Sequence, residues 1–167
     1  FIGNYQNFVR LAQAMQQGGF KPDVFFGDST VYNPDYVKAG GSAVDGTMVG
    51  IDFTPFEEAG GNPELQQYLR WLGQVAPGAK PTVYGLYAWS AAKLFVQESA
   101  KLGGKLSRAS LVADLKTVDK WTAAVMHAPQ PVGSKHVGGC FRFLQLHGTT
   151  WAPVGGNQYL CTGATQL

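Results

Sequence analysis

The sequence predicts an α/β fold built on a parallel sheet, and its opening segment carries the main signal. Residues 1–5 resemble the end of a buried strand and its exit loop. An amphipathic helix follows, with apolar side chains at three- and four-residue spacing from Phe8 to Met15, and it stops at Gly18. Residues 23–26 form a short apolar run with strand propensity. A strand, a helix and a second strand make a βαβ unit, which requires parallel strands.

Composition agrees with this fold class and excludes several functions. The chain has 167 residues, of which 45% are apolar, 14% are charged and 22 are glycine. This balance favours a compact α/β domain with many tight turns over a disordered chain. The net charge of +2 is spread thinly, so we expect neither nucleic-acid binding nor attachment to an anionic membrane. The apolar stretches are also too short to cross a bilayer.

The next elements are predicted from capping and turn residues. Asn33 and Pro34 are a good N-cap and first helical residue for a short helix, which ends near Gly40. Residues 47–51 read as another buried strand. Residues 52–61 contain proline and a glycine pair, so they are interpreted as a linker or a crossover.

Three helices are predicted in the middle of the chain. Asn62 and Pro63 open the first, which Pro77 ends. The longest covers about residues 84–102 and is apolar over a wide face, so we expect it to be well buried. Ser107 is a suitable N-cap for the third.

The last part of the chain is predicted to be mostly β structure. Residues 122–126 are interpreted as a strand, and residues 129–139 as a loop rich in proline and glycine. A β-hairpin follows, with a turn at His147 and Gly148.

Two cysteines, Cys140 and Cys161, flank this hairpin. A cysteine pair around a hairpin favours a disulfide and an exported protein. In the chain-entropy model, closing such a loop contributes roughly 3 kcal/mol. The alternative is two buried free thiols in a cytosolic protein.

Sequence motifs for catalysis and cofactor binding are missing. The glycine pairs fit neither a dinucleotide fingerprint nor a phosphate-binding loop, and no G-x-S-x-G elbow occurs. His127, His136 and His147 do not match a common zinc spacing, even with Cys140, so each is expected at the surface or in a turn. The sequence therefore predicts no catalytic residues, no metal and no cofactor.

Polar residues follow both strands of the opening βαβ unit. In parallel sheets, ligands bind beyond the carboxyl ends of the strands. The residues at these two ends are Asn4, Tyr5 and Gln6, and Asp28, Ser29 and Thr30. This edge is the predicted binding site.

Two roles remain open for each of the main candidates. Tyr5 could stack on a ligand and donate a hydrogen bond, or it could pack on its own helix. Asp28 could face a ligand ammonium group, or it could cap a loop or a helix. Tyr84 opens the longest helix, where its polar tip would face a cleft or simply solvent.

Several short segments occur in an order that resembles a known family. They are Gly3-Asn4-Tyr5, the helix to Met15, Gly18-Gly19-Phe20, Val24-Phe25-Phe26-Gly27-Asp28, Gly46-Thr47-Met48-Val49 and Val83-Tyr84-Gly85-Leu86-Tyr87-Ala88. Their order and spacing resemble the C-terminal half of the type I periplasmic solute-binding proteins of ABC importers, in the branched-chain amino-acid (Leu/Ile/Val-binding-like) family. The resemblance spans about residues 1–155.

The resemblance implies a type I periplasmic-binding fold, with parallel sheets flanked by helices in a partial two-lobed architecture and a C-terminal β-hairpin. By this analogy residues 1–51 belong to ligand-binding lobe 2. Residues 52–121 are a helical part of lobe 1, and residues 122–167 return to lobe 2 with the hairpin. The N-terminal half of the family fold would lie outside this chain.

The resemblance also implies roles for the candidate residues. Tyr5 matches a tyrosine that faces the cleft, and Tyr84 matches a helix start that faces it from the other lobe. The position of the family's ammonium-binding acid falls at Ser29, with Asp28 one residue earlier. The predicted ligand-binding residues are Tyr5, Gln6, Asp28, Ser29, Thr30 and Tyr84.

The function implied is that of an extracytoplasmic, periplasmic or cell-surface component of an ABC importer. Such a protein captures a small polar or amphipathic solute, an amino acid or a related compound, by hinge closure of an interlobe cleft. Its partners would be the solute and the ABC permease, with membrane association only through the permease or an N-terminal anchor. The alternatives are a sensory receptor module of the same fold, or an α/β enzyme with its catalytic residues in the missing N-terminal half.

Overall fold

The computed structural model describes residues 3–134, 136 and 138–161, and it has an α/β fold. The chain forms two compact units. The first, here called the sheet unit, consists of Phe1–Asp52 and Phe141–Leu160. The second, the helical unit, consists of Phe53–Cys140 and Cys161–Leu167. The assignment of residues 1–51, 52–121 and 122–167 to lobes of a larger protein stays a prediction.

The sheet unit contains two helices where the capping residues predict them. Helix α1 is Tyr5–Gln17, and the side chain of Asn4 accepts a hydrogen bond from the first turn of this helix. Helix α2 is Pro34–Gly40, capped in the same way by Asn33. These bonds satisfy backbone N–H groups that have no partner within the helix.

The sheet is mixed, not purely parallel. Its strands are β1, Phe26–Gly27; β2, Met48–Ile51; β3, Cys140–His147; β4, Thr150–Val154; and β5, Leu160–Cys161. The order is β1-β2-β3-β4, with β5 paired to β3. Only the β1–β2 pair is parallel within this path, because the hairpin β3–β4 joins antiparallel to β2. The strand predicted at residues 1–5 lies partly outside the described residues, and Asn4 already caps α1.

The core of the sheet unit lies between the sheet and its helices. Its buried apolar side chains are Phe8, Val9, Ala12, Val31, Tyr32, Tyr36, Val44, Val49, Ile51, Leu144, Leu146 and Trp151. Tyr36 is completely buried, and its hydroxyl lies 2.8 Å from Thr47 Oγ1. Burial raises the pKa of Tyr36 despite this hydrogen bond. The polar tip is thus satisfied inside an apolar layer.

The predicted hairpin and disulfide are confirmed. Strands β3 and β4 pair from Phe143↔Val154 to His147↔Thr150. The turn is formed by Gly148 and Thr149, one residue later than predicted. Gly148 has φ +61°, the left-handed value that a tight hairpin turn with glycine at its first central position requires. Cys140 and Cys161 are joined in a disulfide.

The helical unit contains the three predicted helices. They are α3, Pro63–Val75; α4, Val83–Leu102; and α5, Arg108–Leu115. The side chains of Asn62, Thr82 and Ser107 cap their N-termini. No described helix has the length and apolar character needed to cross a membrane.

The strand predicted at residues 122–126 is wrong. Ala123, Ala124 and Val125 have φ values of +48°, +55° and +68°, so the chain makes a left-handed turn there. Two side chains stabilise this costly conformation by donating to the Val125 carbonyl: Thr54 Oγ1 at 2.8 Å and Asn62 Nδ2 at 3.0 Å. Thr54 and Asn62 lie 71 and 63 residues from Val125 in the sequence. The local sequence therefore does not predict the turn.

The expected burial of α4 is also wrong in part. Leu86, Ser90 and Leu94 on one side are buried. On the other side Phe95 and Val96 are 55% and 63% exposed. An all-round apolar helix predicts packing on both sides, but the described residues of the helical unit pack on one side only.

Candidate functional site

The predicted site begins where strand β1 ends in the sheet unit. A Cβ placed on Gly27 would lie 2.9 Å from Phe8 Cε1 and 3.0 Å from Val31 Cγ2. Both distances are shorter than ordinary van der Waals contacts, so a larger residue would push β1 away from α1. Glycine therefore fixes how closely the polar loop after β1 approaches the start of α1.

Asp28 holds this loop in place with both carboxylate oxygens. Its Oδ1 accepts a hydrogen bond from the Thr30 N–H at 2.8 Å and caps the short 3₁₀ turn Ser29–Val31. Its Oδ2 accepts from the Gly3 N–H at 3.3 Å. Thr30 Oγ1 donates to the Gly3 carbonyl at 2.8 Å. Asp28 and Thr30 thus form hydrogen bonds with the N–H and the carbonyl of Gly3. These two bonds connect the loop to the chain that enters α1.

Tyr5 and Gln6 reach the same edge of the sheet unit from α1. They are the first two residues of that helix, not residues of a strand exit, since Asn4 is its N-cap. Tyr5 is half-buried and Gln6 is exposed. Ser29 is half-buried in the loop after β1. The bonds to Gly3 therefore join the loop after β1 to the chain that enters α1. The βαβ interpretation of this segment stays a prediction, because the strand assigned to residues 1–5 lies partly outside the described residues.

Tyr84 belongs to the helical unit. It is the second residue of α4, two positions after the N-cap Thr82, and 72% of it is exposed. A phenol at a helix start with this exposure can donate to, or stack on, a bound molecule. That it shares a site with Tyr5 stays a prediction.

The chemistry of this edge suits binding. It offers a phenol, an amide, a carboxylate and hydroxyls, which are hydrogen-bond donors and acceptors for a polar head group. Among the described residues, no three side chains of the metal-ligating types come together.

The sequence reasoning missed a buried polar network in the helical unit. Trp121 Nε1 donates to Ser90 Oγ at 2.8 Å, and Ser90 Oγ lies 2.7 Å from His127 Nε2. His127 Nδ1 lies 2.8 Å from the Ala128 carbonyl. Since the carbonyl only accepts, Nδ1 donates to it, and in the neutral imidazole the Ser90 hydroxyl then donates to Nε2.

His127 is therefore not a surface or turn histidine, which corrects the prediction. It is 2% exposed and Ser90 is 3% exposed, so this pair lies in the interior and is not open to a solute. An available signal was Ser90 itself, a polar residue at the helical spacing of the buried apolar residues Leu86 and Leu94. His136 and His147 are exposed, as predicted.

Each unit also contains a pocket. The pocket of the sheet unit, about 520 Å³, lies between the end of α1, residues 19–25 and the turn Gly41–Val44. The pocket of the helical unit, about 400 Å³, lies between α3 and α4. None of the predicted ligand-binding residues lines either pocket.

The α3–α4 pocket contains a carboxylate with two donors. Glu64 accepts from Trp89 Nε1 at 2.8 Å and from Lys93 Nζ at 2.7 Å. Burial opposes ionisation of Glu64, but the Lys93 and Trp89 hydrogen bonds and the Lys93 charge outweigh it and hold its pKa below the ordinary value. Glu64 thus fastens α3 to α4.

Comparison with known families and structures agrees with this architecture. Residues 1–150 match a family model described as periplasmic binding protein. No curated protein sequence matches the chain.

Solved structures share the fold at low identity. A fatty acid ABC transporter substrate-binding protein from Thermomonospora curvata has a TM-score of 0.78 at 15% identity over 96% of this chain. A possible leucine/isoleucine/valine-binding protein from Rhodopirellula baltica has a TM-score of 0.75 at 15% identity over 92%. A branched-chain amino acid ABC transporter protein from Thermus thermophilus with bound valine has a TM-score of 0.73 at 13% identity over 93%. The predicted type I periplasmic-binding fold is confirmed for the part of it present here, because this chain covers only 42%, 42% and 43% of those three chains.

Proposed function

The chain belongs to the periplasmic binding protein family, and from that premise we propose that it is part of the extracytoplasmic solute-binding component of an ABC importer. The match over residues 1–150 carries this proposal. The polar edge formed by α1 and the loop after β1 supports it, because this edge offers hydrogen-bonding groups for a solute. The partners proposed are a small solute and an ABC permease, and the location is the periplasm or the cell surface.

The solute proposed is a small amphipathic compound, an amino acid or a related acid. Of the three similar structures reported above, one is described as a possible leucine/isoleucine/valine-binding protein, one contains bound valine, and one is described as a fatty acid transporter's binding protein. These compounds share a carboxylate and an apolar chain. A phenol, an amide and a hydroxyl, as in Tyr5, Gln6 and Ser29, suit the polar end of such a molecule.

The proposed mechanism is capture by closure of the two lobes of the complete protein, with no covalent chemistry. A solute that contacts both lobes stabilises the closed state by its differential affinity for that state. Tyr5, Gln6, Ser29 and Thr30 would contribute from one lobe, and Asp28 would hold the loop of Ser29 and Thr30 in place. Tyr84 would contribute from the other.

The test is a thermal-shift and calorimetric screen of the full-length gene product with leucine, valine, hexanoate and an uncharged amide. A solute present at one hundred times its Kd should stabilise the protein by about 2.7 kcal/mol. Tyr5→Ala should weaken the binding of that solute at least tenfold. Phe141→Ala, which removes an aromatic ring that is 41% exposed in the same unit and lines neither pocket, is the control and should bind normally. No shift with any organic acid would contradict the solute class, and normal binding by Tyr5→Ala would remove Tyr5 from the site.

A second experiment separates the two roles of Asp28. Asn at this position keeps an oxygen for the Thr30 N–H but loses the charge. Because Asp28 already accepts from Thr30 and Gly3, we expect Asp28→Asn to bind leucine within about threefold of the parent. Asp28→Ala, which loses the cap, should be about 1 kcal/mol less stable. A large loss of leucine binding in Asp28→Asn, with hexanoate binding unchanged, would instead assign Asp28 to the ligand ammonium.

A receptor module of the same fold is the second candidate. It is favoured by the likeness to an extracellular ligand-binding receptor from Rhodopseudomonas palustris, with a TM-score of 0.61 at 17% identity over 86% of this chain. Reconstitution of the full-length protein with its permease distinguishes the two. Solute-dependent stimulation of ATP hydrolysis supports the importer, and its absence despite solute binding supports the receptor.

A further inference from the structure

We propose that the pocket of the sheet unit is a second ligand site, which binds a small organic amine that carries an apolar group. This pocket, here called the α1 pocket, lies between the end of α1, residues 19–25 and the turn Gly41–Val44. Its volume of about 520 Å³ falls in the range of small-molecule sites, roughly 300–1,000 Å³. None of the residues proposed to bind the transported solute lines it, so this inference goes beyond the proposed function and does not depend on it.

The α1 pocket and the proposed solute-binding residues lie at opposite edges of the sheet. Phe25 and Gly46 line the pocket, and they precede the parallel strands β1 and β2. Asp28 instead follows the carboxyl end of β1. Along α1, the pocket residue Gln16 is eleven positions from Tyr5, which is about 16 Å at 1.5 Å per residue. A small molecule in the α1 pocket therefore does not reach the proposed solute site.

Side-chain hydrogen bonds hold the walls of the α1 pocket. Gln16 Nε2 donates to Ser42 Oγ at 3.4 Å and connects α1 to the turn that follows α2. Gln145 Nε2, on β3, donates to the Gly46 carbonyl at 3.1 Å. Three separate parts of the sheet unit are thus fixed around the pocket. Walls that are already in place lower the cost of ordering on binding.

The charged groups of the α1 pocket favour a cation. Among its described lining residues, Asp23 and Asp45 are opposed by one ammonium group, that of Lys21, so the lining has a net charge of −1. Neither carboxylate forms an ion pair with a described residue, although Asp45 Oδ1 accepts from the Gly148 N–H at 2.8 Å. The C-terminal end of α1 adds partial negative charge, because its last turn contains no basic residue.

The other side chains of the α1 pocket favour an apolar group on the same ligand. Met15, Phe20 and Phe25 line it. Phe20 is 63% exposed, so its ring is accessible to a ligand. An aromatic ring attracts an ammonium group through its face, and rings and thioethers pack against apolar groups. An arylalkylamine uses both kinds of contact. Because the lining is net negative, we commit to an amine that has no carboxylate.

The experiment is an NMR titration of the isotope-labelled full-length gene product with phenethylamine. We expect saturable shifts of the Gly19 and Gly46 amides. Asp23→Asn and Asp45→Asn should each weaken binding about threefold, and the double variant about tenfold, since exposed ion pairs contribute little individually. Asp35→Asn is the matched control, because Asp35 is an exposed carboxylate on α2 that does not line the pocket. It should bind phenethylamine normally. Shifts that do not saturate, or unchanged affinity in the double variant, would overturn the site.

Two analogues of phenethylamine test the ligand class at the same two amides. Phenylalanine adds a carboxylate to this skeleton, and 2-phenylethanol replaces the ammonium with a hydroxyl. Both should shift the Gly19 and Gly46 amides only at higher concentration than phenethylamine does. Equal or tighter binding of either compound there would overturn the assignment to an amine. Tyr5→Ala should bind phenethylamine normally even where it loses the transported solute, so failure of this site and failure of the proposed function give different results.

Discussion

The sheet unit and the helical unit differ in how completely they bury the apolar side chains of their helices. In the sheet unit, α1 covers a sheet of the same unit and buries Phe8 completely. In the helical unit, α4 buries a row that includes Ser90 and Glu98 and leaves Phe95 and Val96 in solvent.

The two units illustrate two sources of stability, which are apolar burial and buried polar contacts. An apolar helix–sheet layer stabilises the sheet unit through area removed from water. The helical unit has an apolar core too, which includes Phe53, Leu65, Leu86 and Met126. It adds specific polar contacts: the Trp121–Ser90–His127 network, the Glu64 contacts and the hydrogen bonds to Val125. Such contacts require every partner, because a buried polar group left unpaired is costly. The following predictions test this contrast.

The largest effect is expected from removing the centre of the apolar layer. Phe8→Ala should destabilise the sheet unit by about 3–5 kcal/mol, because a completely buried ring is replaced by a cavity. Hydrogen exchange of α1 and β2 amides in the 167-residue chain measures the loss locally.

Phe95→Ala in α4 provides the matched comparison. It should cost less than about 0.5 kcal/mol in the same chain, since the ring is 55% exposed. An equal loss of unfolding free energy in Phe8→Ala and Phe95→Ala would contradict the proposed difference between a buried and an exposed helix face.

An intermediate effect is expected in the polar interior of the helical unit. Ser90→Ala removes the acceptor of the Trp121 indole N–H and the donor to His127 Nε2. It should cost about 1–3 kcal/mol, measured by urea unfolding with Trp fluorescence. Ser90→Cys retains a weak donor and acceptor and should recover part of the loss. Unchanged stability of Ser90→Ala would show that the network contributes little.

A smaller effect than at Ser90 is expected at Glu64, and it depends on pH. Its pKa is lowered in the folded state, so its stabilisation is complete above the ordinary carboxyl range and is lost as the pH falls through the lowered pKa. Glu64→Gln should cost about 1 kcal/mol at pH 7, since Lys93 is one-third exposed and the pair is partly screened. Unfolding midpoints of parent and variant should converge below about pH 4. A constant difference from pH 7 to pH 3 would contradict the assignment to the charge.

Local signals predicted most of the helices. Asn33, Asn62 and Ser107 each cap the helix that they were expected to cap, because the bond from a cap side chain to the first turn involves only neighbouring residues. The hairpin and its disulfide were likewise predictable from residues close together in sequence or paired by type.

Features that depend on distant partners were not predictable. Local sequence predicts a strand at Ala123, Ala124 and Val125, because the donors that stabilise the observed turn come from residues 54 and 62. The burial of His127 depends on Ser90, which is 37 positions away. For Asp28 the sequence left two roles open, and the structure shows the cap together with a bond to Gly3 that no cap pattern contains.

The sequence by itself determined the α/β class, the helix starts, the hairpin, the cysteine pair and the polar edge beside α1. Each of these depends on side-chain type, short spacing or hydrophobic period. Only the tertiary structure decided that the sheet is mixed, that Asp28 is bound to Gly3, that His127 is internal and that α4 is covered on one side. Those features depend on contacts between residues that are distant in the sequence. Such contacts determine the free energy of burial and of long-range hydrogen bonds, and local sequence does not.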